Sequence, residues 1–517
     1  MTVSRSGDRH NRPDPDGRLG VLLTGHKQVI VIPDPAFSAT VAGQHLLQML
    51  VNLLARQYGV IDELIVAAPA IPAHQGIFHL HPLNADLQTE LIGLAKQLAG
   101  REIEITQDAP TDICDPAHDV RCAAILVGAM QRGRRFEYEI SVVADGWRFQ
   151  CSTKAKTSSV EGTSKNPFGP YMAACYAAAS VFKFLHSVDA EIDLAYSLWH
   201  WDRAEWGSPE TGCDLVGFDL GPVYSIGLGA VGAASMFTLA SNASLQGKMV
   251  LIDPQKMDVT NRNRLVSGAY DDVEKYKVDL AVGVTAGSEL EAYPYVGRWP
   301  DYSADPSRNV PAAIRSRERE DRFDWVLSSV DRNIQRRAIA NSLPRHVIGG
   351  SSMGMTAQAS YYANLGNCEC LACAHPAELV PSIEELTEQL RQMNPAERIQ
   401  WCEARDVDAE KRIAIEEFLR DPGCARVGGE ELHRLGIDGT TDWAVGFVSV
   451  AAGIMQAALL VQCKVLGVEK VLELGSQRFA WFLVPGLGAS FAKRKGNCDF
   501  CGAEALQERT IRLWARR

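Results

Sequence analysis

Between residues 223 and 253 the chain carries a block that few folds accommodate. An apolar run, Val223 to Ile226, is followed by GLGAVG, by the Ala-rich stretch Ala233 to Ser241, and by a second apolar run, Lys248 to Ile252, that ends at Asp253. Gly227, Gly229 and Gly232 therefore form G-x-G-x-x-G directly after an expected strand and before an expected helix, the context in which this motif carries meaning. The glycines let backbone approach a phosphate, and the helix N-terminus supplies unpaired N–H donors and the positive end of a dipole. Asp253, 21 residues after Gly232, is spaced to accept from ribose hydroxyls. The block predicts a βαβ start in a parallel α/β sheet. The bland alternative is a tight strand-to-helix turn that binds nothing.

At 517 residues the chain is long enough for two to four domains. Composition shifts suggest a first region, 1–205, of α/β pattern. It has a β-branched run Gln28 to Ile32, a helical pattern Val41 to Tyr58, an apolar strand Leu64 to Ala68, alternation over Phe136 to Val143 and an Ala-rich helix Tyr171 to Leu185. The glycine block opens a second region, 206–376, in which a strand Trp325 to Ser329 leads to Asp331 and a helical pattern runs to Asn341. Residues 377–440 are polar and helical, an expected insertion, and 441–517 return to the α/β pattern. The apolar stretch Val445 to Val461 carries Ser449, Gln456 and small residues, which suits a buried helix rather than a membrane span. A net charge of -11 gives no support to a broad nucleic-acid or anionic-membrane surface. The polar first twenty residues lack an apolar signal core, so a cytoplasmic protein is expected.

Cysteine spacing points to a metal. Cys370 and Cys373 form one C-x-x-C and Cys498 and Cys501 a second, 125 residues on. Four thiolates so spaced suit a tetrahedral structural Zn²⁺, whereas a redox dithiol needs only one pair. Cys368 reads as a bystander.

Beyond Asp253 the sequence LIDPQKMDVTNRNR sets Asp258, Asn261 and Arg264 just past the second strand, with Lys277 a short way on. This ordered set resembles the adenylating core of the ThiF/MoeB/ubiquitin-activating enzyme superfamily, and the likeness covers about 290 residues. The resemblance implies ATP and Mg²⁺ as cofactors and adenylation of the C-terminal glycine of a ubiquitin-like protein. It assigns Asp253 to the ribose, Asn261 and Arg264 to the phosphates, Lys277 to the α-phosphate side and Asp331 to Mg²⁺. Those residue types suit the chemistry, because cations stabilise a transferring phosphoryl group and carboxylates hold hard cations. The chain departs from the family at Gln255, where an acidic residue is common, and at Arg332, where Asn is usual.

The same resemblance makes Cys424, in PGCARVGG, the nucleophile that takes the acyl group as a thioester, with Arg426 lowering its pKa and Cys402 as the rival. The N-terminal RHNRPDPDGRLGVLLTGHKQVIVI resembles the family's opening, with Arg12 as an arginine finger reaching a neighbouring nucleotide site. The first strand then runs into PDPAFSATVAG, where Pro33 and Pro35 remove N–H donors and no glycine loop follows. The expected fold is thus α/β: two Rossmann-like adenylation folds as a pseudo-dimer, the N-terminal one degenerate, with an inserted helical catalytic-cysteine segment and a four-cysteine zinc site. Implied partners are a ubiquitin-like protein with a C-terminal glycine and a conjugating enzyme, with a monomeric pseudo-dimer or a homodimer as the assembly. The resemblance is to activating components of prokaryotic ubiquitin-like conjugation systems, which often sit in antiphage defence operons. Rival readings are a ThiF/MoeB-like activation of a sulfur carrier, an NAD-dependent oxidoreductase and a zinc-stabilised scaffold.

Overall fold

The computed structural model describes residues 22–80, 85–107, 120–129, 136–154, 162–204, 212–318, 322–376, 383–404, 407, 409–420 and 445–515. They fall into two compact units, one holding both sheets and the other the helices between residues 383 and 420.

The first sheet contains β1 (His26–Pro33), β2 (Glu63–Val66), β3 (Glu104–Thr106), β4 (Val120–Val127), β5 (Tyr138–Asp145), β6 (Arg148–Ser152), β7 (Asp193–Ser197) and β8 (Asp202–Arg203). The second contains β9 (Asp219–Ile226), β10 (Gln246–Ile252), β11 (Leu290–Tyr295), β12 (Trp325–Ser328), β13 (His346–Met353), β14 (Thr356–Tyr362), β15 (Gln477–Trp481) and β16 (Gly486–Ser490). Their spatial orders are β3-β2-β1-β4-β5-β6-β7-β8 and β11-β10-β9-β12-β13-β14-β15-β16, so one order is used twice. In each sheet the first five strands of that order pair in parallel and the remainder antiparallel. The expectation of two like α/β folds in one chain is met.

The helices repeat as well. α1 (Pro35–Ser38) and α2 (Val41–Leu54) follow β1, α3 (Leu87–Ala99) follows β2, and α4 (Phe168–Leu185) joins β6 to β7. In the second half α5 (Ala230–Ala240) follows β9, α6 (Lys277–Thr285) follows β10, and the helix Gly446–Leu466 joins β14 to β15. Gly446–Leu466 is long and apolar enough to cross a membrane by composition, yet its apolar window is wholly buried. It packs on α5, β13, β14 and α4, which makes it a core helix of this unit. Close packing needs small residues there: a Cβ on Gly453 would come within 2.5 Å of the Val231 carbonyl oxygen.

The halves are joined by buried polar contacts as well as apolar ones. The Tyr171 hydroxyl donates to Ser241 Oγ at 2.6 Å, and the Tyr176 hydroxyl to the Gly486 carbonyl at 2.6 Å. Gln462 on the long helix donates to the carbonyls of Leu198 and Trp199 at 2.9 and 2.8 Å. In the other unit, helices Ile383–Gln392, Pro395–Glu403 and Ala409–Arg420 close over a small core of Leu386, Leu390, Cys402, Ile415 and Phe418.

Candidate nucleotide site and cysteine cluster

β9 hands over to α5 through the glycine loop. Gly227 has a φ of +84°, and a Cβ there would lie 2.9 Å from the Ser329 backbone. On Gly232 a Cβ would lie 1.9 Å from the Gly227 carbonyl oxygen, so these two glycines fold the loop onto the sheet. Gly229, the N-cap of α5, is different: nothing lies within 4 Å of where its Cβ would be. No side chain caps α5, so its first-turn donors have no side-chain acceptor at the cap.

Asp253, at the end of β10 and 4% exposed, clasps the loop. Its Oδ2 accepts from Leu228 N at 2.6 Å and its Oδ1 from Gln255 N at 2.7 Å. Burial raises its pKa, while the Lys277 charge and the two N–H donors oppose that rise. Lys277, at the start of α6 and 6% exposed, donates to Gln255 Oε1 at 2.8 Å. Burial lowers its pKa; Asp253, Asp331 and Asp258 act against this and Arg264 with it. The side chain found where the resembled family often has an acid is therefore a neutral holder of the lysine. Gln255 fixes Nζ without cancelling its charge.

Asn261 and Arg264 sit on the turn that follows. Asp258 and Asn261 cap the short 3-10 turn Val259–Asn261 reciprocally, with Asp258 N donating to Asn261 Oδ1 at 3.1 Å. Arg264, 9% exposed, donates from Nη1 to Asn263 Oδ1 at 2.9 Å and to the Thr260 carbonyl at 2.5 Å. Asn263 was not singled out from sequence; the repeated N-x-N-R spelling was its only signal. Asp331 follows β12 and is exposed. Gln456, which the sequence marks only as a polar residue in the apolar stretch, is wholly buried and ties the long helix to the sheet. Its Nε2 donates to the Ser328 and Ile348 carbonyls at 3.3 and 2.8 Å, and its Oε1 accepts from Ser329 Oγ at 2.9 Å.

The corresponding place in the first half is built otherwise. After β1, Asp34 Oδ1 accepts from Ala36 N and Phe37 N at 2.8 and 3.0 Å, so a carboxylate of the chain itself occupies the helix N-terminus. β2 runs into Ala67 and Ala68, with no acid where β10 has Asp253. Arg12, Cys424 and Arg426 lie outside the described residues. Cys402 is described and is 5% exposed, within the core of the helical unit.

Cys370, Cys373, Cys498 and Cys501 come together, with all four Sγ atoms within 4.8 Å of one another. The Cys370–Cys373, Cys370–Cys498 and Cys373–Cys501 separations are 3.6, 3.9 and 3.3 Å. Tetrahedral thiolates about 2.3 Å from Zn²⁺ stand roughly 3.8 Å apart, so the donor set fits that ion. Burial pushes the Cys370 thiol well up and Cys501 up to about 12, a cost that a bound dication would reverse. The cluster could hold zinc and would pin the segment before the last helix, Glu504–Ala515, to the short helix Leu371–Ala374.

Fold and site together define a duplicated α/β protein with, among the described residues, one glycine-loop site. A family model described as the BilD N-terminal domain matches residues 28–192, which lie in the first half. The uncharacterized protein y4jF of Sinorhizobium fredii is 24% identical over 361 residues, 68% of this chain. The chain spans 60% of the length of that relative. Among solved structures, E. coli MccB with AMPCPP and MccA shares 15% identity over 54% of this chain and 66% of its own, with a TM-score of 0.33. The biosynthetic enzyme MccB in complex with N-formylated MccA shares 15% identity over 54% of this chain and 67% of its own, with a TM-score of 0.34.

Proposed function

We propose that the chain is an ATP-dependent activating enzyme for a ubiquitin-like protein. The observation that carries this reading is the grouping at the C-terminal ends of β9, β10 and β12. An open Gly229 at an uncapped helix N-terminus lies beside buried Asp253 and Lys277, with Arg264, Asp258 and Asp331 close enough to act on the lysine's charge. A dinucleotide site needs the glycine loop and Asp253; it does not need two buried cations and a further exposed carboxylate around them.

In this reading the α5 N-terminus receives the phosphates, Asp253 the ribose, and Arg264, Asn261 and Lys277 the charge that develops on phosphorus. Asp331 would hold Mg²⁺, which when bound offsets charge on the phosphate oxygens. A terminal carboxylate oxygen of the partner attacks the α-phosphorus. The new O–P bond forms as the bond to the β-phosphate's bridging oxygen breaks, and pyrophosphate leaves with that electron pair. The Cys424 thiolate then attacks the acyl carbon, AMP leaves, and the thioester passes to a conjugating enzyme, with Arg12 assisting at the phosphates. The four-cysteine cluster takes structural zinc.

The test is pyrophosphate release from ATP in the presence of candidate partners, followed by a non-reducing gel. Wild type should release pyrophosphate and form a thiol-sensitive adduct. Asp331→Ala should lose release, and Cys424→Ala should retain release but lose the adduct. Pyrophosphate release unchanged in Asp331→Ala would remove the assigned metal role. An adduct that persists in Cys424→Ala would transfer the acceptor role to another cysteine.

A further inference from the structure

The segment after Asn261 is irregular, yet every residue from Asn263 to Ala269 is buried. Loops of that kind normally lie on the surface, because their backbone groups need partners that regular structure does not supply. The segment's N–H groups are met partly within it, but the carbonyls of Arg262, Val266 and Gly268 are met from the other half of the chain. Arg56, just past α2 and 1% exposed, donates from Nη1 to the Arg262 carbonyl at 2.7 Å and from Nη2 to the Gly268 carbonyl. Its Nε donates to Asn52 Oδ1 at 2.8 Å, and Asn52 Nδ2 reaches the Val266 carbonyl at 3.4 Å. Further along, Tyr270 N donates to the Gln97 carbonyl at 3.2 Å and its hydroxyl to Glu102 Oε1 at 3.0 Å. The Arg262 guanidinium stacks 3.7 Å from the Tyr270 ring centroid. Burial brings Arg56 down only to about 10, so the guanidinium is charged at neutral pH and holds its donors in the fork.

We propose that Arg56 is a positioning residue of the nucleotide site. Reaching across from the half whose own loop is filled by Asp34, it fixes the segment that presents Asn261 and Arg264 to the phosphates, without touching the nucleotide itself. The first half, on this view, is kept because it shapes the site of the second. The proposal rests on the ATP reading above for its consequence, but not for its geometry.

The full-length chain tests both parts separately. Hydrogen exchange measured by mass spectrometry reads the peptides covering residues 259–270 in wild type, Arg56→Lys and Asn52→Ala; ATP titration of the pyrophosphate-release assay gives KM and kcat. Lysine keeps the charge but cannot span two carbonyls and Asn52 Oδ1 at once. Arg56→Lys is therefore expected to exchange about tenfold faster in 259–270 with β9, β10 and β12 unchanged, and to raise KM for ATP about tenfold while kcat falls less. Asn52→Ala should show the same pattern more weakly, and serves if Arg56→Lys does not fold. Unchanged protection of 259–270 in the folded variants would overturn the proposal. So would a loss spread evenly over both sheets, which would assign Arg56 to general stability, or a faster-exchanging loop with unaltered KM. A wild type that neither binds nor turns over ATP would remove the nucleotide reading, while the exchange data would still decide whether Arg56 holds the loop.

Discussion

Two glycines of one loop should respond in opposite ways to the same added methyl group. Gly232→Ala would place a Cβ 1.9 Å from the Gly227 carbonyl oxygen, against the 3.0 Å that real Cβ atoms keep, so the loop must retreat by at least about 1 Å. The atom in the way is backbone, which cannot swing aside, and overpacking of this kind costs about 1–3 kcal/mol. Gly229→Ala meets nothing within 4 Å, and at an N-cap the exchange of Gly for Ala costs roughly 0.5–1 kcal/mol, less than the clash at Gly232. The methyl would instead stand in the space that the proposed reading gives to a phosphate, and on that reading nucleotide affinity should fall at least about tenfold. Denaturant midpoints and ATP titration calorimetry on both variants read the two effects. A Gly229→Ala protein that binds ATP as wild type does would refute the assignment of that space to a phosphate, and a Gly232→Ala protein as stable as wild type would refute the packing argument.

Other perturbations follow from the same structure. Gln456→Leu strands buried carbonyls of Ser328 and Ile348 and should cost about 1–3 kcal/mol by denaturant midpoint. The chain should carry one zinc by elemental analysis, and Cys498→Ser should lose the metal and lower the melting temperature; a metal-free wild type would count against the four-cysteine site. Burial lowers His45 to about 3, helped by His79 and His74, and lowers His79 to about 4. The unfolded chain therefore takes up protons that the folded chain refuses as pH falls from 6.5 toward 4, and stability drops through that window by up to about 1.4 kcal/mol per pH unit per histidine. It is fully present above pH 6.5, and a denaturant midpoint equal at pH 7 and pH 5 would contradict the assignment.

Local signals carried much of the second half. The glycine loop and Asp253 announced β9, α5 and β10, because phosphate-loop geometry imposes residue types at fixed spacing. The polar breaks in Val445 to Val461 separated a core helix from a membrane span. Paired C-x-x-C spacing pointed to the four thiols that the fold brings to one point across 125 residues, in the arrangement a structural zinc site uses. What stayed hidden depends on distant partners. Gly354, at a φ of +54°, and the Pro485–Gly486 pair mark the turns before β14 and before β16, whereas β4 and β8 owe their place to neighbouring strands. Arg56 at the end of an apolar helix reads as an ordinary solvated cation; only the fold shows it buried against Arg262 and Gly268. Asp34 reads as a turn residue until it is seen capping α1, in the place where the second half leaves room at Gly229.

Where the α-phosphate of ATP goes decides the proposed activation most directly. Incubating the Cys424→Ala chain, which on the proposed chemistry stops at the acyl adenylate, with ATP labelled in that phosphate and with a ubiquitin-like partner, with and without its terminal glycine, should put label on the intact partner alone and release pyrophosphate in equal amount. Label that never reaches the partner, or reaches it equally when the glycine is missing, would contradict activation of a C-terminal carboxylate.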